Sequence, residues 1–300
     1  MPARIEGPPL AAVTRDAFVT WEMKALHRAA RTRGAPFRAV DPRRASFDVT
    51  HRTLAARSMK GRAPLAVLGR IDLDSLPEGV RLLELLKHAG IPVLNDAAAF
   101  LRGRDKAVTA ATLVAADLPH PPTWLLGRPP ARGDVRPQTY PLVVKPVTGS
   151  GGRGVRRITA PEQLASIPPG EFPLLAQAYC GPVRRDLRVL VLQGVALGTV
   201  VRTPRKGDWR GNAAQGATFA PAGPSPHAES LAVAAGKAVG ADFAAVDLIE
   251  TAAGDLWIIE VNLCPGFEHF TRATGIDVAG RVVDAMLRLA AGGAGEGAEP

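Results

Sequence analysis

Leu142-Val-Val-Lys-Pro-Val-Thr-Gly-Ser-Gly-Gly-Arg-Gly154 is the most informative segment of this sequence. An apolar run delivers Lys145, and Gly149, Gly151, Gly152 and Gly154 follow at once. Glycine lets backbone N–H groups close on a polyphosphate, and a lysine beside them supplies positive charge. No Gly-Lys-Ser/Thr ends the run, so it is not a Walker A loop, and no G-x-G-x-x-G opens a helix. The spacing predicts a hairpin, Leu142–Lys145 going out and Gly154–Ile158 returning. Taken alone, a flexible hairpin turn explains the glycines equally well.

Toward the C-terminus the pattern predicts a strand over Leu174–Tyr179 and two over Leu187–Val201, turning at Gly194. A helix over Leu231–Val239, a hairpin of Phe243–Glu250 with Leu256–Asn262, and a helix over Ile276–Ala290 follow. Period two places Glu260 and Asn262 on one strand face, and a four-residue loop, Ala252–Asp255, would set Asp247 opposite Glu260. Carboxylates gathered on one face repel unless a cation intervenes, and hard oxygen donors suit Mg²⁺. A solvent-facing side of an edge hairpin is the alternative. Asp186 and Arg188 also share a face, while Arg210, Asn212 and Gln215 stand in a glycine-punctuated stretch that reads as a binding loop or a surface turn.

Toward the N-terminus, a helix over Trp21–Ala30, strands at Phe37–Val40 and Leu65–Leu68, a helix over Glu78–His88 ended by Gly90, and a strand at Ile91–Leu94 imply a parallel α/β sheet. Helical signals at Asp96–Phe100 and Arg104–Ala116 stop at Pro119, Pro121 and Pro122. Residues 127–140 read as a surface loop, and the tail GGAGEGAEP as disordered.

Composition bounds the rest. Three hundred residues suit two or three compact units, and 46% hydrophobic residues suffice for a core. No apolar run nears the ~20 residues that span a bilayer. The start, MPARIEGPPLAAV, does not read as a signal peptide. Cys180 and Cys264 lack metal-ligand spacing and read as reduced thiols of a cytoplasmic protein. The net charge of +9, from 37 Lys and Arg against 28 Asp and Glu, fits anionic substrates or a compositional bias toward arginine. No dense basic block marks a nucleic-acid patch, and 5% aromatics leave no base-stacking platform.

The ordered set Arg104-Asp-Lys106, Val144-Lys-Pro146 with Gly149–Gly154, Gln177-Ala-Tyr179, Asp186-Leu-Arg188, Arg210-Gly-Asn212, Glu260-Val-Asn262-Leu-Cys-Pro-Gly266 and Thr274-Gly-Ile-Asp277 resembles the RimK-like ATP-grasp ligases of the alpha-L-glutamate ligase type. The resemblance covers residues 65–290; residues 1–64 match only in α/β character. It implies an α/β (α+β) chain: an N-terminal parallel α/β domain (1–95), a central ATP-grasp subdomain (96–180), a C-terminal one (181–291) and a tail (292–300), with ATP clasped between antiparallel sheets.

It further implies that Lys106 and Lys145 contact ATP phosphates under a loop of Gly149, Ser150, Gly151, Gly152 and Gly154. Gln177, Ala178, Tyr179 and Cys180 would form the adenine linker, with Ala178 standing where close relatives carry an acid. Asp186 would face the ribose. Asp247, Glu260 and Asn262 would hold one or two Mg²⁺ ions, with Mn²⁺ as a substitute. Arg188, Arg210 and Asn212 would act on the acyl phosphate and the tetrahedral species.

The expected reaction joins a carboxylate to an amine through an acyl phosphate, with L-glutamate as amine and a small coenzyme or acidic acceptor as carboxylate. Arg43, Arg44, Arg52, Arg57 and Arg70 favour an acidic acceptor. A protein or carrier tail is the alternative acceptor. A non-catalytic ATP-binding regulator remains open as well, and a dinucleotide oxidoreductase lacks its glycine fingerprint. No nucleic-acid or membrane partner is expected, and the family resemblance makes a dimer or tetramer reasonable.

Overall fold

Leu10–Val13 is a run of four fully buried apolar residues and forms β1, the strand around which the first unit is built. A strand covered on both faces reads as a continuous apolar run, and the two alanines make this one too short and weak to stand out in the sequence. The structure, a computed structural model, describes residues 7–16, 18–55, 62–129, 135, 140–149, 151–181, 183–206 and 216–293.

After β1 come α1 (Trp21–Thr32), β2 (Phe37–Val40), a hairpin of β3 (Ser46–Asp48) with β4 (Thr53–Ala55), β5 (Ala66–Gly69), α2 (Leu76–His88), β6 (Val93–Leu94) and α3 (Ala97–Gly103). The Thr20 hydroxyl caps α1 by accepting from Met23 N, as a threonine ahead of an amphipathic run does. The four strands are parallel in the order β2-β1-β5-β6, as the alternation of helix and strand predicts. Gly69 ends β5 where a Cβ would lie 2.6 Å from Asn95 O and 2.7 Å from Phe100 Cε2.

The next stretch supplies α4 (Lys106–Ala115), β7 (Thr123–Leu126), β8 (Leu142–Pro146), β9 (Arg156–Ile158), α5 (Pro161–Ala165) and β10 (Leu174–Ala178). These strands make an antiparallel sheet in the order β7-β10-β8-β9, so the 142–158 hairpin forms as expected, with its return starting at Arg156. One face packs on Leu142, Val144, Ile158, Leu164 and Leu174.

The chain then forms β11 (Val183–Leu192), β12 (Val195–Thr203), β13 (Thr218–Pro221), α6 (Pro226–Val239), β14 (Phe243–Thr251) and β15 (Leu256–Asn262). The second antiparallel sheet runs β13-β12-β11-β14-β15. The β11–β12 turn falls at Gln193 and Gly194, both at positive φ (48° and 73°), the geometry that matches the twist of a two-residue hairpin. Helix α6 packs on β11, β12 and β15.

Last come α7 (Glu268–Thr274), closed by Gly275 at φ 73°, and α8 (Val278–Gly293), which packs on α1 and β5. The chain divides into two compact units: Met1–Leu101 with Gly240–Ala244 and Leu263–Pro300, and Arg102–Val239 with Ala245–Asn262. Within the first, the buried Asn95 amide joins segments far apart in sequence. Its Nδ2 donates to Phe243 O (2.7 Å) and Leu263 O (3.1 Å), and its Oδ1 accepts from Asp242 N and Phe243 N, both at 2.9 Å. Among the described residues no helix is long and apolar enough to cross a membrane.

Candidate active site

The two larger antiparallel sheets belong to the second unit, apart from Phe243 and Ala244 at the start of β14, and a cavity opens within that unit, walled by residues of both. Strand β8 carries Lys145 into it, 6% exposed. The Lys145 Nζ donates to Gln177 Oε1 of β10 at 3.2 Å. Burial pulls the Lys145 ammonium down to about 8, with the like charge of Lys106 in the same direction and the carboxylates of Glu260 and Asp247 opposing.

Past β8 the glycine loop turns. Gly149, Gly151, Gly152 and Gly154 all lie at positive φ (147°, 68°, 71° and 72°), where a side chain would be strained. Lys106 opens α4 behind the Asp105 cap, and its backbone N–H donates to Val147 O at 2.9 Å. This fastens the helix start to the exit of β8. Its Nζ reaches Gly149 O (2.8 Å) and Glu260 Oε1 (3.2 Å). The two lysines, far apart in sequence, thus line one cavity, as the motif order implies.

Asp247, Glu260 and Asn262 are placed by the β14–β15 pairing. The register sets Asp247 opposite Glu260, as expected, but by a different route. Near the turn Glu250 pairs with Leu256, one residue out of the expected frame. A bulge at Ile259 absorbs the extra residue and restores the frame before Glu260. Ile259 and Glu260 therefore both line the cavity.

Around Asp247 the structure reveals a partner, Arg202, to which the sequence alone assigns no role. Asp247 is 4% exposed and receives Arg188 Nε (2.7 Å) and Nη2 (2.8 Å). Arg202 of β12 reaches past β11, its Nη1 2.9 Å from Asp247 Oδ2, while its Nε and Nη2 lie 2.9 and 2.5 Å from Asp186 Oδ1. Two aspartates and two arginines thus make a neutral buried cluster. Burial alone would raise the Asp247 carboxyl, yet Arg188 and Arg202 outweigh it and hold it below the usual range. Burial pushes the Asp186 carboxyl up to about 6 despite Arg202. The only sequence signal for Arg202 is its place within an apolar strand, where a charge demands a partner.

Asp247, Glu260 and Asn262 offer oxygen donors, the chemistry that a hard cation takes, while Lys106 already stands 3.2 Å from Glu260. Glu260 and Asn262 lie on the same face of β15, as the period predicts. Among the described residues no three His, Cys, Asp or Glu side chains cluster as a metal site. The oxygen set of two carboxylates and an amide fits Mg²⁺ only when phosphate oxygens complete it, and Asp247 joins only by giving up an arginine.

Val143, Val155, Ile249 and Ile259 add apolar side chains to the cavity lining, which also includes Ala178, Tyr179 and Cys180. The N–H groups of Ala178 and Tyr179 already donate to Pro122 O (2.8 Å) and Pro141 O (3.0 Å). Arg157 lies over the Tyr179 ring, 4.3 Å from its centroid. Burial pushes the Cys180 thiol up to about 11, so it stays protonated. Ser150, Arg210 and Asn212 lie outside the described residues.

Residues 103–286 match the family described as the RimK-like ATP-grasp domain, well over half of the chain. The chain belongs to that family. A probable alpha-L-glutamate ligase of Mannheimia succiniciproducens is 31% identical over 76% of this chain and 78% of its own length. The ribosomal protein bS6–L-glutamate ligase of Salmonella paratyphi B is 29% identical over 94% of this chain and 96% of its own length. Among solved structures, the ATP-grasp ligase PsnB complexed with a minimal precursor superposes with a TM-score of 0.74 at 18% identity, over 94% of this chain and 100% of that one. A RimK domain protein of Sphaerobacter thermophilus gives 0.70 at 24% identity, over 93% and 99%. These two likenesses carry the fold. The protein is an ATP-grasp ligase that joins a carboxylate to an amine by a C–N bond.

Proposed function

We propose that this ligase adds L-glutamate to a carboxylate carried on a peptide or protein chain, with ATP held in the cavity of the second unit. The observation that carries the acceptor class is the similarity to a ribosomal-protein glutamate ligase along nearly the whole length of both chains. The N-terminal arginines favour a small acidic acceptor less than their number suggests. Arg43 lies within ion-pair distance of Asp74 and Glu78, and Arg44 pairs with Asp41.

In this reading the apolar walls take the base, and the Cys180 N–H and linker carbonyls meet its edge. Lys145, Lys106 and the glycine loop meet the phosphates. An acceptor carboxylate oxygen attacks the γ-phosphorus, the bond to the β-phosphate oxygen breaks, and ADP leaves with that electron pair. The glutamate amine then adds to the acyl phosphate carbon, and phosphate departs as the amide forms. Mg²⁺, held by Glu260 and Asn262 with nucleotide oxygens, would offset charge on the phosphoryl group. In this reading Arg188, which pairs with Asp247, would act on that charge from the protein side, and Arg210 and Asn212 are the proposed partners of the tetrahedral oxyanion.

Purified protein with Mg–ATP and labelled L-glutamate should transfer label to a polypeptide fraction of the source cell. Label confined to small molecules would replace the peptide acceptor by a metabolite. ADP release with another amine and none with glutamate would overturn the donor.

A pH profile follows from Lys145. Burial holds its pKa at about 8, below the ordinary lysine range, so the ammonium is lost as pH rises through 8. Since kcat/KM reports the free enzyme, kcat/KM for ATP should fall about tenfold per pH unit above that point. A flat profile to pH 10 would remove Lys145 from phosphate binding.

A further inference from the structure

Behind Lys145 runs a line of polar side chains that the chemistry above does not use. Gln177, 2% exposed, turns its Oε1 to Lys145 Nζ at 3.2 Å. Its Nε2 faces His120 Nε2 and Thr123 Oγ1, each at 3.2 Å. The two ends of an amide are nearly the same shape, so only hydrogen bonding decides which way a buried one points.

The proton assignment here is self-consistent. The Thr123 hydroxyl donates to Pro121 O at 2.8 Å, which leaves its lone pairs free to accept. His120 Nδ1 faces the Thr123 Oγ1 at 3.5 Å, and a ring proton assigned to Nδ1 leaves Nε2 as the acceptor that the Gln177 Nε2 needs. Burial, with the nearby Lys145 charge, pulls the His120 imidazolium down to about 4, so the ring is neutral near pH 7. Both amide N–H groups of Gln177 then have acceptors on one side, and its carbonyl is left for the lysine. A flipped amide would set N–H groups against a buried ammonium and leave two acceptors facing each other across the amide oxygen.

We propose that His120 is a positioning residue for the phosphate-binding lysine: with Thr123 it orients the Gln177 amide so that the carbonyl oxygen receives the Lys145 ammonium. The role rests on the reading of this cavity as the nucleotide site. It acts through Gln177, without contact to nucleotide, and should weigh on phosphates and not on the base.

The test compares two probes, the ATP analogue AMPPNP with Mg²⁺ and adenosine, by calorimetry. His120→Phe keeps a ring and removes the acceptor. It should weaken AMPPNP binding about tenfold, the size of a lost charge-assisted hydrogen bond, and leave adenosine within about twofold. His120→Gln restores an acceptor and should regain most of the AMPPNP affinity. Equal weakening of both probes, no change in either, or a Gln variant no better than the Phe variant would overturn the proposal.

Imidazole ¹⁵N shifts of the wild-type protein decide the matter even if the Phe variant does not fold. An Nδ1–H tautomer with Nε2 accepting is expected at neutral pH, and an Nε2–H tautomer overturns the relay. Because that readout needs no nucleotide, failure of the site reading (no AMPPNP binding by wild type) stays distinct from failure of this inference.

Discussion

Replacing Lys145 by methionine should abolish nearly all ligation while leaving the fold intact. Removing a preorganised charge from a transferring phosphoryl group typically costs about 10²–10³-fold in turnover. Lys145 is a buried cation of the cavity wall, held on β8 and paired cross-strand with Leu175 of β10. Methionine keeps the length and apolar stem. Its lysine predecessor is held below its ordinary pKa by burial, so the charge costs stability when the cavity is empty. The melting temperature should therefore hold or rise as activity disappears. Glutamate-dependent ADP release, read beside a thermal melt, checks both halves. Turnover near wild type would refute the phosphate assignment, and a collapsed melt would show that the lysine is structural.

The largest stability loss should come from Arg202→Met. Arg202 bridges Asp186 and Asp247, and without it the two buried carboxylates face the charge of Arg188, which is hydrogen-bonded to Asp247. Breaking a buried ion pair by removing one partner costs about 3–5 kcal/mol. The pH dependence has a definite sign. The folded pKa of Asp186, already raised to about 6, should climb further once the guanidinium is gone. A carboxylate raised on folding takes up its proton first in the folded state, so stability is regained as pH falls through that value. Urea denaturation should show a deep loss at pH 8 and a smaller one at pH 5. An unchanged midpoint at pH 8, or an equal loss at both, would mean that the cluster does not carry that energy.

The sequence exposed the features that depend on local periodicity and backbone need. The alternation in β11 puts Asp186 and Arg188 on one face, and that in β15 does the same for Glu260 and Asn262, because a strand repeats every two residues. The glycines of the 149–154 loop announce positive φ wherever they stand, because other residues pay strain there. The order of lysine, glycine loop and acidic strand sufficed for the family. Strand β1 and the short strands β7 and β13 escaped, being four residues each with little periodicity to read.

Which charges answer one another emerges only in the folded chain. Arg202 meets Asp186 sixteen residues away and Asp247 forty-five away, since strand order brings β12, β11 and β14 side by side. The bulge at Ile259 keeps Glu260 in register, a correction invisible in the loop length alone. His120 finds Gln177 only after β7 and β10 pair. Periodicity is a property of the local backbone and survives in the bare sequence. Pairing between strands that no short loop joins is a property of the sheet, and spacing along the chain does not encode it.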